Sequence, residues 1–337
     1  MTPGGPRRPA MFAALLATLL FCVSAVSATR TARHLGGTEA NFWRLALALL
    51  FLGLYAHLFG AGLRGSALPW FLLSGCIGFG LGDLALFQAL PRLGSRLTSL
   101  LLHCLAAPLA VVVEWLWLGT RLKWEEMACA ALILAGVALA LAPKERQHLP
   151  RRVFWPGLLF AALAAFGQGF GSVLSRQAFA VARQAGENID GLSAAYQRGV
   201  AGVIFGGLCL LAVKHRYWLP QPLEGAAPSA SADPLEGVAL STPHSGVAPA
   251  NARDKWRGIR GWLLLNALTG PSLGVACMQW ALQTTPAGIV LPILATMPIF
   301  IIPLSIWFEG EKPTARSLLG GAVAVLAAVL LVILHQP

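Results

Sequence analysis

Residues 81–90, LGDLALFQAL, and residues 273–282, LGVACMQWAL, are two versions of one short sequence. Both begin with Leu-Gly, both end with Ala-Leu, and both lie inside long apolar runs. Other segments pair in the same order along the chain: NFWRLALALL near 40 with SAAYQRGVAG near 194, LWLGTRLKW with WFEGEKPTA, and ACAALILAGVALAL with LGGAVAVLAAVLLV. The sequence therefore predicts that the chain consists of two related halves.

Chance similarity between Leu- and Ala-rich helices is the alternative explanation for these pairs. The matched residues that are not large and apolar argue against chance, because Leu and Ala content alone does not align them. They are Arg44 with Arg198, Gly82 with Gly274, and Gly119 with Gly310.

The composition is typical of a membrane protein. Of 337 residues, 56% are hydrophobic and 12% are charged, whereas about a quarter are charged in a soluble domain. Most charges lie between apolar runs of roughly the 20 residues that a helix needs to cross a bilayer. The runs are 10–29, 40–60, 68–90, 95–118, 124–142, 154–176, 193–213, 259–282, 286–308 and 316–335. We therefore expect an all-α membrane protein with ten transmembrane helices.

Each half contains five of these predicted spans. Because five is odd, the second half enters the membrane from the side opposite to the first. We expect two inverted five-helix repeats, an arrangement that recurs in secondary transporters. The predicted parts are a tail at 1–9, a first repeat at 10–142, a loop at 143–153, and a second repeat at 154–335 interrupted by a flexible loop at about 219–254, rich in Pro, Ala and Ser.

The net charge of +11 arises mainly from basic residues in connections beside apolar runs. This placement indicates contact with anionic lipid and argues against a nucleic-acid partner. When these basic residues are counted on the two sides of the membrane, they favour an orientation with both termini outside. The family resemblance described next implies the opposite orientation. The first 28 residues also fit a cleavable signal peptide, but their match to the start of the second half favours a membrane span.

The matched segments resemble the EamA family of the drug/metabolite transporter superfamily. In that family an Arg opens the second helix of each repeat, a Gly-rich third helix ends in Ala-Leu, the fourth helix contains a proline, and a Gly-Glu turn precedes an AALILAGV-like fifth helix. Thr120 stands where the family usually has Glu. The resemblance implies a ten-helix carrier of small metabolites, often an exporter, that does not hydrolyse ATP. The matching residues are Arg44, Gly82, Ala89-Leu90, Pro108, Gly119 and 130–137, then Arg198, Gly274, Ala281-Leu282, Pro298, Gly310-Glu311 and Gly320-Gly321.

One acid and one histidine fall inside neighbouring spans. Asp83 and His103 each lie ten residues from Leu93, so a hairpin that turns at Pro91–Gly94 would place both about 15 Å below its tip. Ionisable residues at such depth normally face a cavity or a partner. We expect both to line a central cavity, with Asp83 coupling transport to a proton or cation. The alternative is that Asp83 caps a Gly-rich kink or bonds a neighbouring helix.

The remaining candidates for contact with a solute are Gln88, Gln168, Gln279 and Trp280, and for each glutamine helix packing is the alternative. Arg44 and Arg198 lie at the starts of spans, which favours snorkelling to lipid headgroups. A role of both arginines, with Tyr196, in gating or in attracting anionic solutes is the alternative. Glu114, near the end of its span, is expected at the membrane interface, and Phe87 is expected to face the cavity.

The sequence thus predicts a secondary transporter of a small organic metabolite, acting as an exporter by alternating access in the cell membrane. It contains no P-loop, HExxH or GxSxG motif, so ATP hydrolysis and enzymatic activity are not expected. The six cysteines show no metal-ligand spacing, and no cofactor is expected. A non-transporting membrane sensor or assembly partner is the alternative. The expected partners are the solute, the lipid bilayer and a coupling proton or cation, with monomer and homodimer both open.

Overall fold

A computed structural model describes residues 7–141, 150–218, 256, 258–297, 300 and 315–334. These residues form helices and connections and contain no strand, which confirms the all-helical prediction. The helices are α1 Arg7–Leu35, α2 Gly37–Leu58, α3 Leu68–Gly75, α4 Asp83–Leu118, α5 Trp124–Leu141, α6 Arg151–Gln184, α7 Gly191–Trp218, α8 Arg260–Ala267, α9 Leu273–Thr284, α10 Ala287–Leu294 and α11 Ala315–Leu334, with two π-helical segments, π1 Cys76–Gly82 and π2 Leu268–Ser272.

Seven helical segments of the described chain are long and apolar enough to cross a membrane, and each corresponds to one predicted span. For the other three predicted spans the described residues comprise α5, α10 with the few residues described after it, and α11, whose apolar part is Leu319–Leu334; the rest of the span at 286–308 lies outside the described residues. The count of ten spans therefore stays a prediction. The seven are Pro9–Ala32, Gly37–Leu58, Leu68–Leu90, Leu101–Leu118, Arg151–Gln184, Gly191–Ala212 and Arg260–Thr284.

Several predicted features lie outside the described residues: most of the loop at 143–153, the loop at 219–254, Pro298 and Gly310-Glu311. Helix α6 begins earlier and ends later than the predicted span at 154–176. It starts at Arg151 because Pro150 has the extended backbone, φ −54° and ψ 137°, of a residue that precedes a first turn.

Glycines in the left-handed region separate some of the helices. Gly36, with φ 80°, stands between α1 and α2, and Gly119, with φ 66°, ends α4. Residues with a Cβ rarely adopt this conformation, so these two positions fix where the helices end. Gly119 is the glycine of the matched turn that follows the fourth predicted span.

Helix α4 reverses direction near Leu93. Its backbone is helical from Asp83 to Leu118, yet both of its arms lie beside one short stretch of α6. A Cβ built at Gly167 would lie 2.6 Å from the Cα of Gly82, and one built at Gly169 would lie 2.7 Å from the Ala106 carbonyl. In a straight helix Gly82 and Ala106 would be about 36 Å apart. The chain therefore forms a hairpin, consistent with the predicted turn at Pro91–Gly94.

The tip of this hairpin and the connection between α9 and α10 lie at opposite ends of α6. The Leu93 side chain lies 2.7 Å from the position that a Cβ at Gly157 would occupy, so it packs against this glycine. In the other half, Arg183 donates from Nη1 to the Gln283 carbonyl at 2.8 Å. Gly157 and Arg183 are separated by about 39 Å along a helix. These two connections are the ones that the sequence match pairs with each other.

The third spans of the two halves are also interrupted at matching positions. The π-helical segments begin at Cys76 and Leu268, which are 192 positions apart (268 − 76). The first residues of α3 and α8 are separated by the same number of positions, and so are the first residues of LGDLALFQAL and LGVACMQWAL. Helices α2 and α7 begin at Gly37 and Gly191, and these two residues are as far apart in the sequence as Arg44 and Arg198 are. Structure and sequence thus place the two halves in the same register.

Close backbone contact between α6 and the hairpin depends on glycine at position 167. We expect Gly167→Ala to lower the thermal midpoint of the detergent-solubilised protein, because its methyl group would overlap Gly82 and overpacking costs about 1–3 kcal/mol. Gly206→Ala in α7 is the matched control, since a Cβ there meets nothing within 4 Å. Alanine is the better helix former, so Gly206→Ala should melt at or above the wild-type temperature. Equal destabilisation by both substitutions would contradict the close packing.

Candidate functional site

One face of the third span carries Phe79, Asp83 and Phe87, each four residues from the next. This spacing places the three side chains one above another on a helix. The Arg44 guanidinium lies over the Phe87 ring at 4.8 Å, and the Arg198 guanidinium lies over the Phe79 ring at 5.1 Å. The acid therefore lies between two arginines, each resting on an aromatic ring. We name Arg44, Asp83 and Arg198 the charge cluster.

Arg44 is the arginine of the cluster that forms hydrogen bonds to other side chains. Its Nη2 forms an ion pair and hydrogen bond with Asp83, and its Nε donates to the Asn41 side-chain oxygen at 2.9 Å. The two paired side chains are 8% and 18% exposed. A charge-assisted bond in such surroundings is stronger than one in water, and removing one partner would leave the other charge buried.

Arg198 has no such set of partners. It is 2% exposed, and its Nε and Nη1 atoms have no hydrogen-bond partner among the described residues. It interacts with Asp83 electrostatically, while the hydrogen bond of that carboxylate goes to Arg44. The cluster holds two positive charges and one negative charge in the interior of the bundle.

The two arginines enter the cluster from opposite ends of the bundle. Arg44 lies seven residues into α2, whose first residue, Gly37, packs against the Phe87 carbonyl near the hairpin tip. Arg198 lies seven residues into α7, which begins at the other end, where Gln283 donates to the Ile189 carbonyl at 2.6 Å. Equivalent positions of the two halves thus bring their side chains to the single acid.

The preferred sequence interpretation of these arginines was wrong. Snorkelling would keep each guanidinium at the lipid headgroups, but Arg44 and Arg198 are 7% and 2% exposed and turn inward to Asp83 and the two phenylalanines. The position of a residue near a helix start does not decide this, because a long side chain can extend toward either the headgroups or the interior.

A second buried ion pair links three helices away from the cluster. Glu114 of α4 pairs through Oε1 with the Nε of Arg176 in α6 at 2.7 Å, and its Oε2 accepts from the Gly288 amide at 3.2 Å. Gly288 lies in the first turn of α10, where backbone amides need an acceptor. The prediction that Glu114 lies at the depth of the membrane interface stays a prediction, but its side chain is 2% exposed and turned into the bundle, where it joins α10 to α4 and α6.

The structure does not bring His103 to Asp83. No hydrogen bond or ion pair in the described part of the chain joins them, and the His103 Nε2 is buried without a hydrogen-bond partner there. The bond from Asp83 to α2 matches the alternative interpretation, in which the acid bonds a neighbouring helix. The Gly-rich stretch before Asp83 forms π1, and π-helical turns are frequent at functional sites.

The three glutamines have different surroundings. Gln279 is fully buried, and neither atom of its amide has a hydrogen-bond partner among the described residues. Gln168 donates to the Met278 sulfur at 3.7 Å, so it joins α6 to α9. Gln88 bonds Thr38 at 3.4 Å and accepts from Arg92 at 3.0 Å, which places it toward the hairpin tip and away from the cluster.

The aromatic candidates lie in different environments. Tyr196 is buried, and its hydroxyl is 3.0 Å from the Nε2 of His57. Trp280 is 42% exposed, and its position in a cavity stays a prediction. Phe87 is buried beneath Arg44 and contributes to the cluster. Sequence reasoning missed Phe79, although the four-residue spacing of Phe79, Asp83 and Phe87 was visible and could have indicated one helix face.

The ion pair between Arg44 and Asp83 can be tested by its dependence on both partners. We expect Arg44→Met to lower the thermal midpoint strongly, because breaking a buried pair from one side costs about 3–5 kcal/mol. Adding Asp83→Asn to that variant should recover much of the loss, since no unpaired carboxylate then remains. The measurement is thermal unfolding of the purified protein in detergent. Additive losses in the double variant would show that the two side chains do not form the pair.

Comparisons with known proteins agree with this arrangement of helices. A solved structure described as "Crystal structure of protein" is similar over 97% of this chain and 97% of its own, with a TM-score of 0.65 and 18% sequence identity. At this identity the likeness shows a shared fold. No curated protein matches the chain.

The model of the EamA-like transporter family matches residues 8–142 and 237–333, which together make up more than half of the chain. The first match covers α1 to α5, and the second covers α8 to α11. The apolar helices of the described chain agree with a multi-pass integral membrane protein of the drug/metabolite transporter type. On this evidence the chain belongs to the EamA-like transporter family.

Proposed function

We propose that this protein is a secondary transporter that exports a small organic solute across the cell membrane by alternating access between two inverted five-helix repeats. The observation that carries the proposal is the position of the two matched connections, the hairpin tip at Leu93 and the turn at Gln283, at opposite ends of α6. Two copies of one unit that enter the membrane from opposite sides would place their equivalent turns in this way.

The interrupted third spans support the same mechanism. Each contains a π-helical segment, π1 and π2, that begins at the matched position. Broken or irregular helices near the midplane form the solute and ion sites of many secondary transporters, because their backbone groups are not all used within the helix. Alternating access would then consist of a movement of one repeat against the other about these segments.

We propose the charge cluster as the coupling and gating element. In the conformation described, Asp83 bonds Arg44 of the first half, while Arg198 of the second half lies within electrostatic reach. A change of partner by Asp83 would accompany a movement between the halves. The half-buried His103 and Gln168 and the buried Gln279 would supply further polar groups for the pathway. The contact of Tyr196 with His57 is a polar contact between α7 and α2 that gating could open.

The proposal predicts saturable solute movement by the purified protein in lipid vesicles. Vesicles loaded with labelled amino acids, organic acids and nucleosides should lose at least one of them faster with protein than without. External unlabelled solute should accelerate that loss, as expected of a carrier. Absence of protein-dependent flux for every class would overturn the proposed function and favour a sensor or assembly partner.

The coupling role of Asp83 has a separate prediction. A proton or sodium gradient should accelerate flux through the wild-type protein, and Asp83→Asn should reduce the rate to that measured without a gradient, because the variant lacks the titratable carboxyl. Asp83→Glu should retain the acceleration. Glu125→Gln, at an exposed acid in the first turn of α5, is the matched control. Full gradient-driven flux in Asp83→Asn would contradict the coupling role.

A further inference from the structure

We infer that the transported solute carries an anionic group of the carboxylate type and that Arg198 binds it. This inference rests on the proposed function, since it names the chemical class of solute that the same site would accept. It is argued from the charges of the cluster, from the partners that Arg198 lacks, from the register of the two halves, and from the contacts that hold the guanidinium in place.

The charge cluster lacks one anion. Arg44 and Arg198 carry two positive charges, Asp83 carries one negative charge, and the hydrogen bond of Asp83 goes to Arg44. Arginine stays protonated in proteins, so Arg198 cannot relieve its burial by losing a proton. A buried charge without a partner is strongly unfavourable. A water molecule could occupy its N–H groups but would not neutralise the charge.

A carboxylate fits what Arg198 offers. Its Nε and Nη1 are buried without hydrogen-bond partners in the described part of the chain. The guanidinium group presents planar N–H donors, and a carboxylate that accepts from the Nε or the Nη1 edge forms a charge-assisted hydrogen bond, which is stronger than a neutral one. The single negative charge of such a group would also balance the cluster.

The register of the two halves explains why Arg198 lacks an acid of its own. Arg44 pairs with Asp83 in the first half, and the position equivalent to Asp83 in the second half is Val275, which is 4% exposed. The second half therefore keeps the arginine and replaces its acid with an apolar residue. We interpret this asymmetry as the place for an anion that comes from outside the chain.

Arg198 is held in a fixed position, as a binding residue should be. A Cβ at Gly75 would overlap the Arg198 carbonyl, so the backbone of α7 lies directly against α3. A Cβ at Gly78 would lie 2.8 Å from the Arg198 Nη2, so the guanidinium fills space that a larger side chain would take. The Phe79 ring covers it from one side at 5.1 Å. Such preorganisation reduces the entropic cost of binding.

The test is thermal unfolding of the purified full-length protein while acetate or benzoate replaces chloride at constant ionic strength. We expect a saturable rise of the midpoint with both carboxylates and none with acetamide or benzamide, which have similar shape and no charge. Arg198→Met should abolish the rise, or weaken the apparent affinity by about tenfold or more, since a hydrogen bond to a charged group is involved. Arg121→Met, at an exposed arginine between α4 and α5, should keep the wild-type response.

A further measurement excludes a purely structural role for Arg198. In chloride alone Arg198→Met should melt at or above the wild-type temperature, because it removes a buried charge whose Nε and Nη1 have no hydrogen-bond partner in the described part of the chain. An amide response equal to that of the carboxylates, or a midpoint of Arg198→Met far below wild type in chloride, would overturn the inference.

The flux measurements separate this inference from the proposed function. In one outcome, only uncharged solutes show saturable flux and carboxylates do not raise the thermal midpoint. This result would support the proposed transport function and overturn the anion site. A carboxylate-dependent rise that Arg198→Met removes, together with no flux of any solute, would support the anion site and overturn transport.

Discussion

A carboxylate between two guanidinium groups, inside a bundle whose outer surface is apolar, is the constraint on which the rest of the structure depends. Charges in such surroundings are expensive, so they dictate which helices must be neighbours. Arg44 joins α2 to the start of α4 through Asp83, and the Arg198 guanidinium of α7 lies over the Phe79 ring in π1, just before that start. The cluster therefore lies where α2, α7 and the third span of the first half meet.

Small residues allow this cluster to be enclosed. In lipid the hydrophobic effect does not drive helices together, and close packing of glycine, alanine and serine provides the association instead. Gly167 and Gly82 bring α6 and the hairpin into backbone contact, while Gly75 lets α7 reach α3. The same glycines lie in or beside π1, where the helix departs from regular geometry just before Asp83. Close packing and an irregular third span thus occur at one place.

In the proposed arrangement of two repeats, equivalent positions of the two halves would have different roles. Arg44 and Arg198 lie at the same position of α2 and α7, yet an acid is present in the third span of the first half and Val275 stands at the matched position in the second. Under this proposal one arginine is held by Asp83 and the other is left for a ligand.

The sequence by itself determined the helical membrane class, seven helices long and apolar enough to cross a membrane, the matched positions of the helix starts and the hairpin around Leu93, because span length, apolar content and repeated motifs are properties of local sequence. The tertiary structure alone decided that Asp83 pairs with Arg44 instead of His103, that both arginines turn inward, and that Glu114 meets Arg176. The physical reason is that residue number gives depth along a helix axis. It gives neither the rotation of the helix about that axis nor the identity of its neighbour.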